Sequence, residues 1–223
     1  MRAMTVVLGI EPANKRPWAC AVLYLEPGRP RPALIHSTTV AGWQEAVALA
    51  ERLEPAVVAV DSPIGLHAGL CCLEESCACV PASPLTGRAS ERELALRGIA
   101  CFWTTKRTII KPLVYAAIRL REALERRCVH VLEVYPFAAK VLLFGRTDKG
   151  TVRKATPDGL AHLARQVGAL VTGLRRVAPD ANHDALDAVL AAYTGVLYLR
   201  GETETLGAPE EGAITIPRTP VQA

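Results

Sequence analysis

The sequence predicts an α/β fold in which a mixed five-stranded sheet carries helices on both faces. Three short apolar runs, at residues 5–10, 18–25 and 33–40, follow one another with short turns and favour an antiparallel meander. Two later runs, at residues 56–60 and 129–134, are each followed by a helical pattern, which favours their addition as parallel strands. With 223 residues, 50% of them hydrophobic, the chain can bury the core of one domain.

Helical spacing of apolar residues predicts the elements that separate and follow these strands. Within residues 157–174, Leu160 and Leu163 begin one apolar stripe. The last helix is expected to start after Asp180, a suitable N-cap, and to extend to Leu197. The other predicted helices span residues 42–53, 112–127 and 137–144. Together these helices are expected to cover the sheet.

One long segment shows no sustained periodicity. Residues 62–110 are rich in Cys, Gly and Pro, so we expect an insertion or a long loop there, with a short helix near residues 90–96. This segment is expected to belong to a single domain spanning residues 1–223. From about residue 201 we expect a polar tail, apart from a small edge strand at residues 213–217.

The composition excludes several classes of protein. No apolar run reaches the roughly 18 residues of a membrane-spanning helix, and the apolar start of the chain is too short for a secretory signal. We therefore expect a cytoplasmic protein without a membrane partner. Seven cysteines, an odd number, indicate reduced thiols or metal binding rather than a disulfide framework. A net charge of +4 permits nucleic acid as a partner, and a homodimer is compatible with the sequence.

Two acids lie one turn apart on the last predicted helix. Asp184 and Asp187 have the i, i+3 relation and head a stripe of small residues that continues through Ala188 and Ala191. Carboxylates on a closely packed face repel each other and lose hydration, so a divalent cation is their natural partner. The alternative is that both acids only interact with the positive end of the helix dipole.

Three further acids stand where predicted strands end: Glu11, Asp61 and Glu133. If these strands are parallel neighbours, their carboxyl ends meet at the edge of the sheet where ligands bind in open α/β folds. Four or five carboxylates at one place would require cations, and two Mg²⁺ or Mn²⁺ ions are the predicted solution. Glu133 would act as a ligand or support one; alternatively, a nearby Arg satisfies it.

Four motifs that contain these acids resemble a known family. They read GIE at residues 9–11, VAVDSP at 58–63, EVYP at 133–136 and HDALDA at 183–188. The ordered set, spread over about residues 6–217, resembles the domain-of-unknown-function 429 family of predicted RNase H-like nucleases. The last motif also resembles the terminal helix of RuvC-type Holliday-junction resolvases, which share the RNase H-like fold.

This resemblance implies an RNase H-like fold and a nuclease that hydrolyses phosphodiester bonds by a carboxylate-bound two-metal mechanism. Glu11, Asp61 and Asp187 would be the core metal ligands, and Asp184 would share or orient a metal. His183 would either relay a proton or help to cap the helix. In the family the first strand usually ends on Asp, whereas this chain has Glu11.

A dense group of cysteines lies in the irregular segment. Cys71, Cys72, Cys77 and Cys79 fall within nine residues, and Cys101 follows further on. Such a group predicts a second metal site for Zn²⁺ or an iron–sulfur cluster. The spacing is not the paired C-x₂-C pattern of zinc ribbons, so redox-labile or loop-packed thiols are the alternative.

Aromatic and basic residues alternate in the same segment. Trp103, Lys106, Arg107 and Lys111 form a combination that suits stacking on a base and binding phosphate. The alternative is a solvated loop. A second basic group consists of Lys149, Arg153 and Lys154.

Two other functions are compatible with the sequence. A non-catalytic nucleic-acid-binding, metal-sensing or redox-sensing module on the same fold is favoured by Glu11 at the position where the family has Asp. An ATP-using phosphotransferase would need a Gly-rich phosphate loop, and Gly65 and Gly69 lack that pattern.

Overall fold

The computed structural model describes residues 5–145 and 156–218 of the chain. Its strands are β1 (Thr5–Glu11), β2 (Trp18–Leu25), β3 (Ala33–Val40), β4 (Val57–Val60), β5 (Val131–Val134), β6 (Thr203–Leu206) and β7 (Ile214–Pro217). Within the described residues these strands form one sheet, in the order β3-β2-β1-β4-β5-β7-β6.

The strand directions make the sheet mixed. β1, β2 and β3 form an antiparallel meander, whereas β4 lies parallel to β1, β5 parallel to β4 and β7 parallel to β5. β6 pairs with β7 in the antiparallel direction. The α/β class and the expected meander with parallel additions are confirmed, and the order of the first five strands is that of an RNase H-like fold.

Helices connect and cover the strands. They are α1 (Trp43–Leu53), α2 (Ala89–Leu96), α3 (Lys111–Glu125), α4 (Pro136–Phe144), α5 (Pro157–Leu170), α6 (Leu174–Val177) and α7 (His183–Leu199), with a 3₁₀ turn at Pro209–Glu211. Alternate residues of β1 point to opposite faces. Val7 packs in a core with α5, α6 and α7, and Leu8 and Ile10 pack in another with α1 and α3. Helices on both faces are thus confirmed.

The expected number of five strands is wrong, because the segment expected to be a polar tail contributes two more. β6 is half-exposed and its sequence, TETL, carries little apolar signal. β7 was expected at the sheet edge but lies between β5 and β6. Ile214 and Ile216 are buried there in a small third core with Leu94 and Ala138, which explains why the chain returns to the sheet.

The small residues of α7 allow it to lie directly against the sheet. A Cβ atom on Gly9 would overlap the backbone of Ala188 and Ala192, and one on Gly195 would come within 2.7 Å of Val7 Cγ1. The predicted small-residue stripe therefore contacts β1 as expected. This close approach brings the first turns of α7 to the carboxyl end of β1.

Four local predictions need correction or comment. α7 begins at His183 rather than after Asp180, because the Asn182 side chain accepts a hydrogen bond from Ala185 N at 2.9 Å and caps it. The helix predicted at 157–174 is interrupted, since Val171 is extended and Thr172 pairs with the chain beside β3. None of the described helices is long and apolar enough to span a membrane. The basic group at Lys149, Arg153 and Lys154 lies outside the described residues.

Candidate functional site

The sheet topology places Glu11 and Asp61 side by side. β1 and β4 are parallel neighbours with Ile10 paired to Val60, and each acid is the next residue along its strand. Asp61 N donates a hydrogen bond to Ile10 O at 3.0 Å, which extends the ladder by one residue. The two carboxyl groups are close enough to share a hydrogen bond. This is the convergence that the strand-end positions predicted.

Asp187 joins this pair from α7. Its side chain is buried, and it lines the same pocket of about 300 Å³ as Glu11 and Asp61. Phe102 and Tyr135 also line the pocket, and the Phe102 side chain is exposed to solvent. The site is therefore a group of three carboxylates, Glu11, Asp61 and Asp187, at the carboxyl edge of the sheet. Two aromatic side chains, Phe102 and Tyr135, form the aromatic rim of its pocket.

The carboxylates of this site repel one another, and this repulsion acts on Glu11. Burial, together with the carboxylates of Asp61, Asp187 and Asp184, raises the pKa of Glu11 from 4.5 to about 11. Glu11 Oε2 is buried and has no hydrogen-bond partner among the described residues. Without a cation, the arrangement therefore favours a proton on Glu11. Carboxylate oxygens held this way suit a hard divalent ion.

Two basic residues act on the acids of α7. Lys140, from α4, forms an ion pair with Asp187, and both side chains are largely buried. Arg16, in the loop after β1, pairs with Asp184 at 2.8 Å and is mostly exposed. Asp184 lines a neighbouring groove rather than the pocket that holds Glu11. Asp184 therefore lies at the periphery of the site, where a sharing or orienting role is a proposal rather than an observation.

Glu133 lines the same pocket, but its carboxylate is held by Arg88. Its two carboxylate oxygens accept hydrogen bonds from Arg88 Nη1 and Nη2 at 2.7 and 2.6 Å, and Ile64 N donates a further bond at 2.9 Å. The side chain is 3% exposed. Because both oxygens are already used, the geometry favours the alternative of an acid satisfied by Arg. This geometry favours a supporting role for Glu133 over metal ligation, and a catalytic role stays a prediction.

Arg88, the partner of Glu133, was missed by the sequence reasoning. It is fully buried, and its Nε also donates to Glu91 Oε1 at 2.8 Å. Burial lowers the pKa of Arg88, but the carboxylates of Glu133 and Glu91 outweigh this effect and raise it above its ordinary value. The spacing of Arg88 and Glu91 at the start of a short helix was the available signal, but the distant Glu133 gave no local sign.

Lys140 was also missed, although its sequence context is unusual. It is the single charged residue in the helix sequence PFAAKVLLF. A lone Lys in an otherwise apolar helix indicates either a side chain that reaches water or a buried partner. His183 was expected to relay a proton or cap α7. Asn182 provides the cap, and His183 is absent from the lining of the acidic pocket.

The five cysteines of the predicted second metal site lie in two places. The thiol sulfurs of Cys71, Cys72, Cys77 and Cys79 all lie within 4.8 Å of one another. Cys101 was expected in the same site but lies apart. Its sulfur contacts the Glu91 carbonyl oxygen at 3.8 Å, and it lines the acidic pocket. It packs beside α2, against the third core that contains Leu94 and Ile99.

The expected nucleic-acid-binding residues do not line the acidic pocket. Lys106 and Arg107 line a separate groove beside Cys79. Trp103 is 37% exposed, and its ring packs against Gly87. Two of the basic side chains face acids of the cysteine-rich loop, with Arg107 at 3.3 Å from Glu75 and Lys111 at 3.3 Å from Glu74.

Comparison with known proteins gives a structural neighbour and a family. A solved structure titled "Thermus thermophilus RuvC structure" is similar, with 18% identity and a TM-score of 0.49, over 88% of this chain and 96% of that one. No curated protein matches. The family described as "Protein of unknown function (DUF429)" matches residues 9–212. Because this match covers most of the sequence, the chain belongs to the DUF429 family.

Proposed function

We propose that the protein is a divalent-metal-dependent nuclease that hydrolyses phosphodiester bonds of nucleic acid, with Mg²⁺ or Mn²⁺ held by Glu11, Asp61 and Asp187. The observation that carries the proposal is the convergence of these three carboxylates in one pocket. The unpartnered, buried Oε2 of Glu11 supports it, because a carboxylate oxygen in that position lacks a protein donor.

The residues present fit such an ion. All three contribute carboxylate oxygens, the donors that Mg²⁺ and Mn²⁺ prefer. When bound, these ions stabilise the charge that develops on phosphate oxygens during in-line attack. A cation would relieve the repulsion between the carboxylates that raises the pKa of Glu11, and this relief favours cation binding.

The surrounding side chains have roles consistent with a phosphodiester substrate. Phe102 and Tyr135 offer aromatic faces at the pocket on which a base or sugar can stack. Lys140 forms an ion pair with Asp187 and so places a positive charge next to the acids of the pocket. Arg16 and Asp184 form an ion pair in the neighbouring groove. Aromatic side chains that line the pocket and basic side chains that pair with its neighbouring acids therefore support a phosphodiester substrate.

A non-catalytic nucleic-acid-binding module is the second candidate, and Lys140 is the observation that favours it. Its ammonium group already neutralises the charge of Asp187, one of the three carboxylates of the site. A site satisfied internally in this way can persist without metal. In that case the aromatic rim would still bind nucleic acid, but no bond would be broken.

The experiment that separates these candidates is Mn²⁺-dependent cleavage of labelled DNA and RNA, presented as single strands, duplexes and branched junctions. Asp61→Asn and Asp187→Asn are compared with Asp158→Asn, which changes an exposed Asp in the first turn of α5. The nuclease predicts cleavage that Asp158→Asn retains and the two site variants lose. Equal activity in all variants, or binding without cleavage by folded, Mn²⁺-loaded wild type, contradicts it.

A further inference from the structure

The cysteine-rich segment forms a closed loop outside the helices and strands. Ala82 N donates to Ala68 O at 2.6 Å, so the two ends of the loop meet. Gly69 has a φ of +86°, and a Cβ atom there would approach Val80 O within 2.6 Å. Leu73 is the one fully buried apolar side chain between these ends. Such a long loop with so little core of its own needs another source of order.

The four thiols in this loop are arranged for one ion. All four sulfurs lie within 4.8 Å of one another, and Cys71 Sγ is 3.6 Å from Cys77 Sγ. Tetrahedral Zn²⁺ binds cysteine at about 2.3 Å, which places its sulfurs roughly 3.8 Å apart. The observed sulfurs therefore need only small adjustments. All four are reduced cysteines in the structure.

We propose that Cys71, Cys72, Cys77 and Cys79 bind a single Zn²⁺ ion in a tetrahedral four-thiolate site. An iron–sulfur cluster distributes its cysteines over several irons with sulfides between them, and so spaces the thiolates more widely. Four sulfurs that are all mutual neighbours match a mononuclear site. Closed four-thiolate sites are structural rather than catalytic.

Basic side chains lie beside the cysteine-rich loop. Four thiolates around one Zn²⁺ carry a net charge of −2, and Lys106 donates to the Cys77 carbonyl oxygen at 2.5 Å. Arg107 and Lys111 face the adjacent Glu75 and Glu74. Lys106 thus lies close to the thiolates, and Arg107 and Lys111 offset the negative charge of the two glutamates beside them.

The site would connect the loop to the rest of the molecule. Leu73 N donates to Tyr115 Oη at 2.7 Å, and Tyr115 Oη donates to Glu74 Oε1 at 2.9 Å, which joins the loop to α3. An ion bound by the cysteines on both sides of Glu74 would hold this junction in place, together with the segment that carries Lys106. This role does not depend on the proposed nuclease activity.

Metal content and spectroscopy test the site in the full chain. Wild type expressed with zinc is expected to contain about one Zn²⁺ per chain, and its Co²⁺ form should show the thiolate charge-transfer and tetrahedral d–d bands. Cys77→Ser and Cys79→Ser should lose both signals. Cys101→Ser is the matched control and should retain them, because Cys101 lies outside the group. Loss of both signals in Cys101→Ser overturns the assignment.

A measurement on wild type covers the case in which the cysteine variants do not fold. Zinc should protect four of the seven thiols from alkylation, and peptide mapping should identify them as Cys71, Cys72, Cys77 and Cys79. The exposed Cys128 should react with and without zinc. An iron–sulfur absorption spectrum after anaerobic purification, a Cys71–Cys77 disulfide in the reduced preparation, or four unprotected thiols overturns the proposal. These readouts are independent of cleavage, so they separate its failure from that of the nuclease.

Discussion

Lys140 on α4 forms an ion pair with Asp187 on α7, and this pair borders the pocket that holds Glu11 and Asp61. The side chains of Lys140 and Asp187 are 13% and 10% exposed. An ammonium group in this position reduces the repulsion among the acids when no metal is bound. It also competes for one of the carboxylates that we propose as a metal ligand.

Replacing Lys140 tests this competition. In Lys140→Met, the apolar length of the side chain is kept and the charge is removed, so Mn²⁺ is expected to bind about 3- to 10-fold more tightly. The metal-free variant should be less stable than wild type, because Asp187 loses its partner. Isothermal titration calorimetry and thermal unfolding measure the two effects. Arg119→Met, on the exposed face of α3, should change neither. Weaker Mn²⁺ binding would instead show that Lys140 positions Asp187 for the ion.

Glu11 gives the metal-free protein a distinct dependence on pH. Burial and the neighbouring acids raise its pKa from 4.5 to about 11. Because the unfolded chain ionises more readily, this group lowers stability progressively as the pH rises from 4.5 towards 11. Glu11→Gln cannot ionise, so we expect it to be about 1–3 kcal/mol more stable than metal-free wild type at pH 9.

The same variant should lose the metal response. Mn²⁺ is expected to raise the melting temperature of wild type but not that of Glu11→Gln. Thermal unfolding between pH 5 and pH 9, with and without Mn²⁺, gives both results. Glu122→Gln changes an exposed Glu on α3 and should behave as wild type. A Glu11→Gln protein that is less stable than wild type at every pH would show that Glu11 has an unrecognised stabilising contact.

The candidate ligands could be predicted because each occupies a position with a local signature. Glu11 and Asp61 end apolar runs, and Asp187 lies on a helical stripe of small residues. For the basic residues Lys140 and Arg88, no local sequence pattern indicates which acid each one contacts. Lys140 meets Asp187 and Arg88 meets Glu133 only after the chain has folded, 47 and 45 residues apart.

Of the two strands after α7, β7 was predicted as a small edge strand and β6 was missed. β6 has four residues, little apolar content and is held by its pairing with β7, whereas β7 also buries Ile214 and Ile216. β7 also aligns with β5, which carries Glu133. The four residues of β6, with one buried apolar side chain, are too few for a sequence pattern to separate a strand from a loop. The expected five-stranded sheet was therefore incomplete at this side.

The contact between Gly9 and α7 predicts a strong effect of one methyl group. A Cβ atom at position 9 would overlap the backbone of Ala188 and Ala192, and backbone cannot move aside as a flexible side chain does. Gly9→Ala is therefore expected to lose about 2–4 kcal/mol of stability and to displace Asp187 from Glu11. Urea unfolding and Mn²⁺ titration measure these losses.

Gly42→Ala is the matched control for that change. Gly42 precedes α1 with a φ of 170°, and the nearest atom to an added Cβ is 3.9 Å away. It should remain within about 0.5 kcal/mol of wild type. If Gly9→Ala had wild-type stability, the close packing of α7 on β1 would be incorrect, and with it the placement of Asp187.

The Arg88 network predicts a large loss of stability that is coupled to Glu133. In Arg88→Met, two buried carboxylates lose their shared cation, and the expected cost is about 3–5 kcal/mol. The exposed pair of Arg97 and Glu204 provides the contrast, because Arg97→Met should cost less than about 1 kcal/mol. Urea unfolding of both variants gives the two values.

A double variant distinguishes lost pairing from lost packing. In the double variant with Arg88→Met and Glu133→Gln, one of the uncompensated charges is removed. The loss in the free energy of unfolding should therefore be smaller than the sum of the losses in the two single variants. Glu91 still lacks its partner there, and recovery should be partial. Strict additivity would mean that Arg88 acts through its packed volume rather than its charge. Glu133 would then need another source of stabilisation, and its exclusion from the metal ligands would lose its physical basis.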